Sequence, residues 1–311
     1  MEIVLNLGLL IIGFIMLIKG ADWFVDGASK IADHFGIPQI VIGLTIVAFG
    51  TSAPEAAISI NGALKGNGGI TIGNVVGSNI LNILLILGIT SLIIPLSIQK
   101  TTLKYEVPYV IFVSCVLYAL GIDGSIHFKD GMILWGLFII FFIYLSILSK
   151  KKNIEVSEKD KEVKGWISVL SFTIIGIAFI IIGSDLTVDS ATNIAFILKV
   201  SERIVGLTII AFGTSLPELI TSVTAGLKGK DDIAIGNIVG SNIFNILFVT
   251  GTAALITPIE YSSEFGIDSM ICIASGILLF LSVFREKKLK RIGGIFMLLL
   301  YGGYFFYLIQ Q

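Results

Sequence analysis

Hydrophobic residues in this chain come in long runs, not at the spacing of an amphipathic helix or strand. Ten runs are long enough to cross a bilayer, at about residues 3–19, 38–63, 70–96, 105–122, 131–149, 166–184, 202–226, 233–257, 266–284 and 292–309. Each predicts a membrane-spanning helix. The polar stretch from Lys150 to Lys164 predicts a solvated connector. Two runs break their own pattern. Gly43-Leu-Thr-Ile-Val-Ala-Phe-Gly-Thr-Ser-Ala-Pro-Glu55 places a glycine, a proline and a carboxyl inside an apolar segment, and it returns as Gly206-Leu-Thr-Ile-Ile-Ala-Phe-Gly-Thr-Ser-Leu-Pro-Glu218. Proline removes a backbone donor, so both helices are expected to break there. A carboxylate at the bilayer centre costs roughly 2.5–3.5 kcal/mol even on the gentler insertion scale, so each needs a partner.

The recurrence has a fixed offset of 163 residues. At that offset Gly43–Pro95 aligns with Gly206–Pro258 without a gap, with roughly 30 of about 53 positions identical. Upstream, Asp22 and Asp26 face Asp185 and Asp189. Each half holds five runs, an odd number, so the second half must enter the membrane from the opposite side. The expected architecture is an all-α membrane protein of ten transmembrane helices in two inverted-topology five-helix repeats. Residues 1–149 and 165–311 form the repeats, and 150–164 the cytoplasmic connector. Many secondary transporters are built this way, with the site at the midplane where broken helices meet.

Composition supports a membrane setting. Of 311 residues, 55% are hydrophobic and 14% charged, with a mean hydropathy of +0.97, too little polar surface for a soluble domain of this size. Net charge is −1, and no nucleic-acid partner is expected. Of the 21 Lys and Arg residues, all but Lys65, Lys129, Lys199 and Arg203 fall on one side of the ten-helix arrangement. That side is expected to be cytoplasmic, with both termini outside. The first run lacks a cleavable signal pattern and is read as a spanning helix. Cys115 and Cys272 are read as separate core residues, not a disulfide.

Residues four apart share a helix face. Thr51 and Glu55 do so, as do Thr214 and Glu218. The next run carries Asn74, Ser78 and Asn82, with Asn79 beside the row; its copy carries Asn237, Ser241 and Asn245, with Asn242 alongside. Every donor atom here is oxygen, which disfavours thiophilic or imidazole-seeking metals and suits hard cations. Ca²⁺ accepts six to eight such ligands in flexible geometry, whereas Mg²⁺ demands a tight octahedron. The helix breaks are expected to free further carbonyls, notably those of Ala48 and Ala211. Two glutamates can nearly neutralise one Ca²⁺, or two Na⁺.

Gly-Thr-Ser-Ala/Leu-Pro-Glu followed by Gly-Asn-(Val/Ile)-Val-Gly-Ser-Asn-Ile-(Leu/Phe)-Asn-Ile, once per half, resembles the two α-repeats of the cation/Ca²⁺ exchanger superfamily. The chain is most similar to its compact prokaryotic Na⁺/Ca²⁺ exchangers. The resemblance implies alternating access, by sliding of the first helix of each half across a core, and a diamond of four cation positions. It implies a Ca²⁺ site of Glu55, Glu218, Thr51 and Thr214, the threonines through their carbonyls. The flanking Na⁺ positions would use Ala48, Ser52, Ser78 and the glutamates on one side and Ala211, Ser215 and Ser241 on the other. Asn82 and Asn245 would complete the middle. Asn245 stands where some members, including K⁺-dependent ones, place Asp.

The function expected is exchange of Na⁺ for Ca²⁺ across the cell membrane, by a chain that works as a monomer, without cofactor or catalytic residue. A H⁺/Ca²⁺ or K⁺-dependent Na⁺/Ca²⁺ antiporter of the same fold is the alternative. A passive channel also uses broken helices, but duplication argues for alternating access. An intramembrane hydrolase lacks its motif. Asp22, Asp26, Asp185 and Asp189 are read as solvated helix ends, Lys65 and Lys228 as snorkelling side chains, and His34 and His127 as loop residues.

Overall fold

A computed structural model describes residues 2–66, 68–152, 166–199 and 211–310. Twelve helical segments carry the first half and its copy: α1 Glu2–Phe35, α2 Gln39–Thr51, α3 Ala53–Leu64, α4 Gly68–Ile93, α5 Thr102–Gly121, α6 Phe128–Lys152, α7 Trp166–Ile197, α8 Ala211–Gly213, α9 Leu216–Leu227, α10 Asp231–Ile256, α11 Ser263–Phe284 and α12 Arg291–Gln310. Among the described residues eight helices are long and apolar enough to cross a membrane, and nine when α2 and α3 count as one bent span. The expected seventh run begins at residues outside those described, as does the connector from residue 153 on.

Helices α1 and α7 run 34 and 32 residues, well beyond the ends expected at residues 19 and 184. They pack along each other through small residues. A side chain at Gly20 would stand 2.7 Å from the Gly176 carbonyl, and one at Gly13 2.9 Å from that of Gly183. Only glycine lets these backbones approach so closely. Asp22, Asp26, Asp185 and Asp189 therefore lie within long helices instead of at their ends. His34 is likewise helical, in the last turn of α1, stacked on Trp166 at 4.6 Å. Cys272 is buried, but Cys115 is exposed and so is not a core residue; both are free thiols.

Helices α4 and α10 form the centre. Both contain widened π turns that begin at Asn82 and Asn245, where the chain is fully buried. Such turns recur at functional sites. Two short antiparallel ladders tie the halves together: β1 (Leu96–Ser97) with β4 (Lys288–Leu289), and β2 (Ser125–Ile126) with β3 (Ile259–Glu260). Leu96 pairs Leu289 and Ile126 pairs Ile259, so each ladder is the other with the halves exchanged.

Candidate functional site

The site starts from two helix breaks. Helix α2 stops at Thr51, Ser52 leaves helical geometry (φ −84°, ψ 8°), and α3 restarts with Pro54 in its first turn, bent by 54°. In the second half Ser215 (φ −95°, ψ 6°) separates α8 from α9, with Pro217 in the first turn. Proline fits the first turn of a helix, where its missing N–H costs nothing, but it ends the helix before it. Each break puts a glutamate, Glu55 or Glu218, in the first turn of the new half-helix. A carboxylate is favoured there by the exposed N–H groups and the helix dipole.

Both carboxylates are buried, 1% and 0% exposed. Each is held from the opposite half. The Ser52 hydroxyl donates to Glu218 Oε1 at 2.8 Å, and the Ser215 hydroxyl to Glu55 Oε1 at 3.2 Å. The two bonds are one bond with the halves exchanged. Among the described residues, Glu55 Oε2 and Glu218 Oε2 have no hydrogen-bond partner. Thr214 also interacts with Glu55, and Thr51 and Ser241 with Glu218.

The asparagines divide into three pairs. Asn74 donates to the Glu55 main-chain carbonyl at 3.0 Å and to Ser59 at 2.9 Å; Asn237 donates to the Glu218 carbonyl at 3.4 Å and to Ser222 at 3.0 Å. This pair braces each short half-helix against the central helix of its own repeat. Asn79 and Asn242 donate to each other's main-chain carbonyls, both at 3.1 Å. Asn82 donates to Asn242 Oδ1 at 3.0 Å, and Asn245 to Asn79 Oδ1 at 3.2 Å. Among the described residues, Asn82 Oδ1 and Asn245 Oδ1 are buried without partners. Four orphaned oxygens therefore lie in the centre, two from each half, all acceptors. Buried acceptors are expensive to leave unpaired. Among the described residues no three acidic, histidine or cysteine side chains cluster as a metal site, so a cation here would depend largely on neutral oxygens.

The remaining expected positions are placed as follows. Thr51, Ser52, Ser78, Ser215 and Ser241 are buried, and Thr214 is half-buried. The Ala48 carbonyl is not freed by the break. It keeps its helical bond from Ser52 N at 2.9 Å and accepts from Thr51 at 3.3 Å and from Ser241, of the other half, at 3.4 Å. The break occurs two residues later, where Pro54 has no N–H to offer Gly50. Ala211 opens α8, and the residues before it lie outside those described. Ser59 and Ser222, the asparagine supports, were not anticipated. Their signal was available: each sits four residues after its glutamate and recurs at the 163-residue offset.

A family model described as "Sodium/calcium exchanger protein" matches residues 5–147 and 168–310. A putative antiporter, CaxA, of Alkalimonas amylolytica is 38% identical over 97% of this chain and 98% of its own. The sodium/calcium exchanger MaX1 of Methanosarcina acetivorans is 33% identical over 96% of this chain and 97% of its own. Among solved structures, the sodium-calcium exchanger NCX_Mj, soaked with Na⁺ and no Ca²⁺, superposes with a TM-score of 0.85 at 34% identity, covering 96% of this chain and 97% of that one.

Proposed function

From the premise that the chain belongs to the sodium/calcium exchanger protein family, a family of multi-pass membrane antiporters, we propose that it exchanges Na⁺ for Ca²⁺ across the cell membrane at one midplane site shared by its halves. The observation that carries this reading is the set of four buried oxygens, on Glu55, Glu218, Asn82 and Asn245, that have no partner among the described residues.

The site's chemistry follows from charge. Two ionised glutamates give it a charge of −2, which one Ca²⁺ or two Na⁺ offset. Glu55, Glu218 and the Thr51 and Thr214 carbonyls would hold Ca²⁺. Ser52 and Ser78, and Ala211, Ser215 and Ser241, would complete flanking Na⁺ positions, with Asn82 and Asn245 between them. Occupancy by one kind of cation removes the charge that the other needs, so binding is competitive. An empty site leaves carboxylate oxygens desolvated, which disfavours moving it across the membrane without cargo.

The reading takes the chain as two inverted five-helix repeats, residues 1–149 and 165–311, joined by the cytoplasmic connector 150–164, with both termini outside. The crossed serine bonds and exchanged ladders support this symmetry. Helices α1 and α7, in glycine contact with each other, would slide across the core to expose the site to each side in turn.

Vesicles loaded with Ca²⁺ test the coupling. Efflux is expected to follow an imposed Na⁺ gradient and to ignore a pH gradient. Efflux driven by a pH gradient without Na⁺ would assign the chain to H⁺/Ca²⁺ exchange instead, and efflux with no counter-ion would make it a channel.

A further inference from the structure

We propose that Asn79 and Asn242 are positioning residues that aim the side-chain oxygens of Asn82 and Asn245 at the cations without binding cations themselves. This rests on the shared-site reading above. The two ends of an asparagine amide are alike in size and shape, so its spacing along the helix alone does not say which end faces a site. Here the orientation follows from fixed points. Main-chain carbonyls can only accept. Asn79 and Asn242 each donate to one, at 3.1 Å, so their NH₂ groups are committed. Their Oδ1 atoms must then point the other way, where they accept from Asn245 at 3.2 Å and Asn82 at 3.0 Å. That commits the NH₂ groups of Asn82 and Asn245 in turn, and their Oδ1 atoms are the ends with no partner among the described residues. All four residues are at most 1% exposed, so water does not compete for these bonds. A flipped Asn82 would set oxygen against the oxygen of Asn242 and turn two N–H donors towards a cation.

The wiring crosses between halves. Asn79, on α4, supports Asn245, on α10; Asn242 supports Asn82. This predicts specific couplings in Ca²⁺ and Na⁺ binding to the purified protein. N79A is expected to weaken cation binding about tenfold, the low end of what loss of an outer-shell support costs. In double-mutant cycles, N79A added to N245A should change little, whereas N79A added to N82A should multiply. N242A should show the reverse pairing. Asn79→Ser and Asn242→Ser, which keep a hydroxyl acceptor, serve in the same cycles where an alanine variant does not fold. Equal coupling of N79A to both partners would overturn the positioning role, as would N79A binding cations normally while N245A does not. Normal binding by both N82A and N245A would overturn the ligand assignment and this inference with it, a result distinct from the preceding two.

A second observation stands independently. The Lys228 ammonium, at the end of α9, meets Asp22 at 2.6 Å and Asp26 at 2.7 Å, and donates to the Asp22 carbonyl at 2.9 Å. All three of its protons are used, and they pin α1 of the first half to α9 of the second. Partial burial works against its charge, but the two aspartates outweigh this and hold its pKa above the ordinary lysine value. The counterparts at the 163-residue offset are Lys65, Asp185 and Asp189, and all three are exposed. Among the described residues they form no ion pair. Helix α1 packs along α9, while α7 makes no comparable contact with α3.

We infer that the two triads are alternating latches, one closed on each side of the membrane, and that this structure has the Lys228 latch closed and the Lys65 latch open. Partly exposed ion pairs are worth little each, so loss of a latch should shift the ratio of the two states about two- to fivefold. Spin labels at Lys30 and Leu227, and in a second sample at the counterpart positions Asn193 and Leu64, report the two separations. K228Q should lengthen the first distance distribution and shorten the second. K65Q should do the opposite. Unchanged distributions, or both variants moving the same way, would overturn the latch.

Discussion

The halves of this chain share their sequence motif and their internal bonding, yet they are not equally enclosed. In α10, 94% of the membrane-length window is buried; in α4 it is 72%. Asn237 is fully buried and its twin Asn74 only half so. Gly236 lies against Gly43, with a side chain at either position about 3 Å from the other's backbone, while the twin of Gly236, Gly73, is exposed. Identical residues thus sit in different surroundings. The described contacts that enclose α10 come from α2, where Gly43 and Ile40 lie against Gly236 and Leu44 and Ala48 against Gly240; most of the corresponding segment of the second half lies outside the described residues. A duplicated chain can adopt two packings related by exchange of halves, and a single structure holds one of them.

Substitutions made in pairs test whether this asymmetry reaches the site. The largest effect is expected from Glu55→Gln and Glu218→Gln. Each should abolish Ca²⁺ transport while the protein still inserts and purifies, and a difference between them greater than a few-fold would break the equivalence of the halves. Next come Ser52→Ala and Ser215→Ala. Each removes a hydroxyl donor from the opposite glutamate, a bond to a charged group worth about 1.5–3 kcal/mol, and should weaken Ca²⁺ binding by at least tenfold when titrated. Asn245→Asp adds charge to one half only. It should alter the Na⁺, K⁺ and Ca²⁺ dependence of transport more than thermal stability, and unchanged ion dependence would remove Asn245 from the site. The smallest effect is at Thr221, whose buried hydroxyl has no partner among the described residues and whose twin is Ile58. Thr221→Val should leave stability unchanged or raise it by up to about 1 kcal/mol in thermal unfolding.

The repeat, the breaks and the two acidic residues were legible because each violates a strong rule. Proline and glutamate are costly in a membrane helix, and one offset relates both copies. The lengths of α1 and α7 were not legible, because Asp22 and Asp185 look like the ends of apolar runs although the helices continue past them. Spacing put Asn74, Ser78 and Asn82 on one face but could not separate a brace from a ligand. That distinction lies in which way each amide turns and in the π turn beginning at Asn82, which shifts the register of the face. The two-residue ladders are too short to leave a pattern. The latch residues were visible only as charges, since their pairing joins positions about 200 residues apart.

The central claim is that both halves hold the same cation. Equilibrium Ca²⁺ binding to the purified protein, counted per chain, tests it most directly. The account predicts one Ca²⁺ per chain, displaced by Na⁺, and none in either E55Q or E218Q. Two Ca²⁺ per chain, with one retained in each single variant, would mean two separate half-sites and would contradict it.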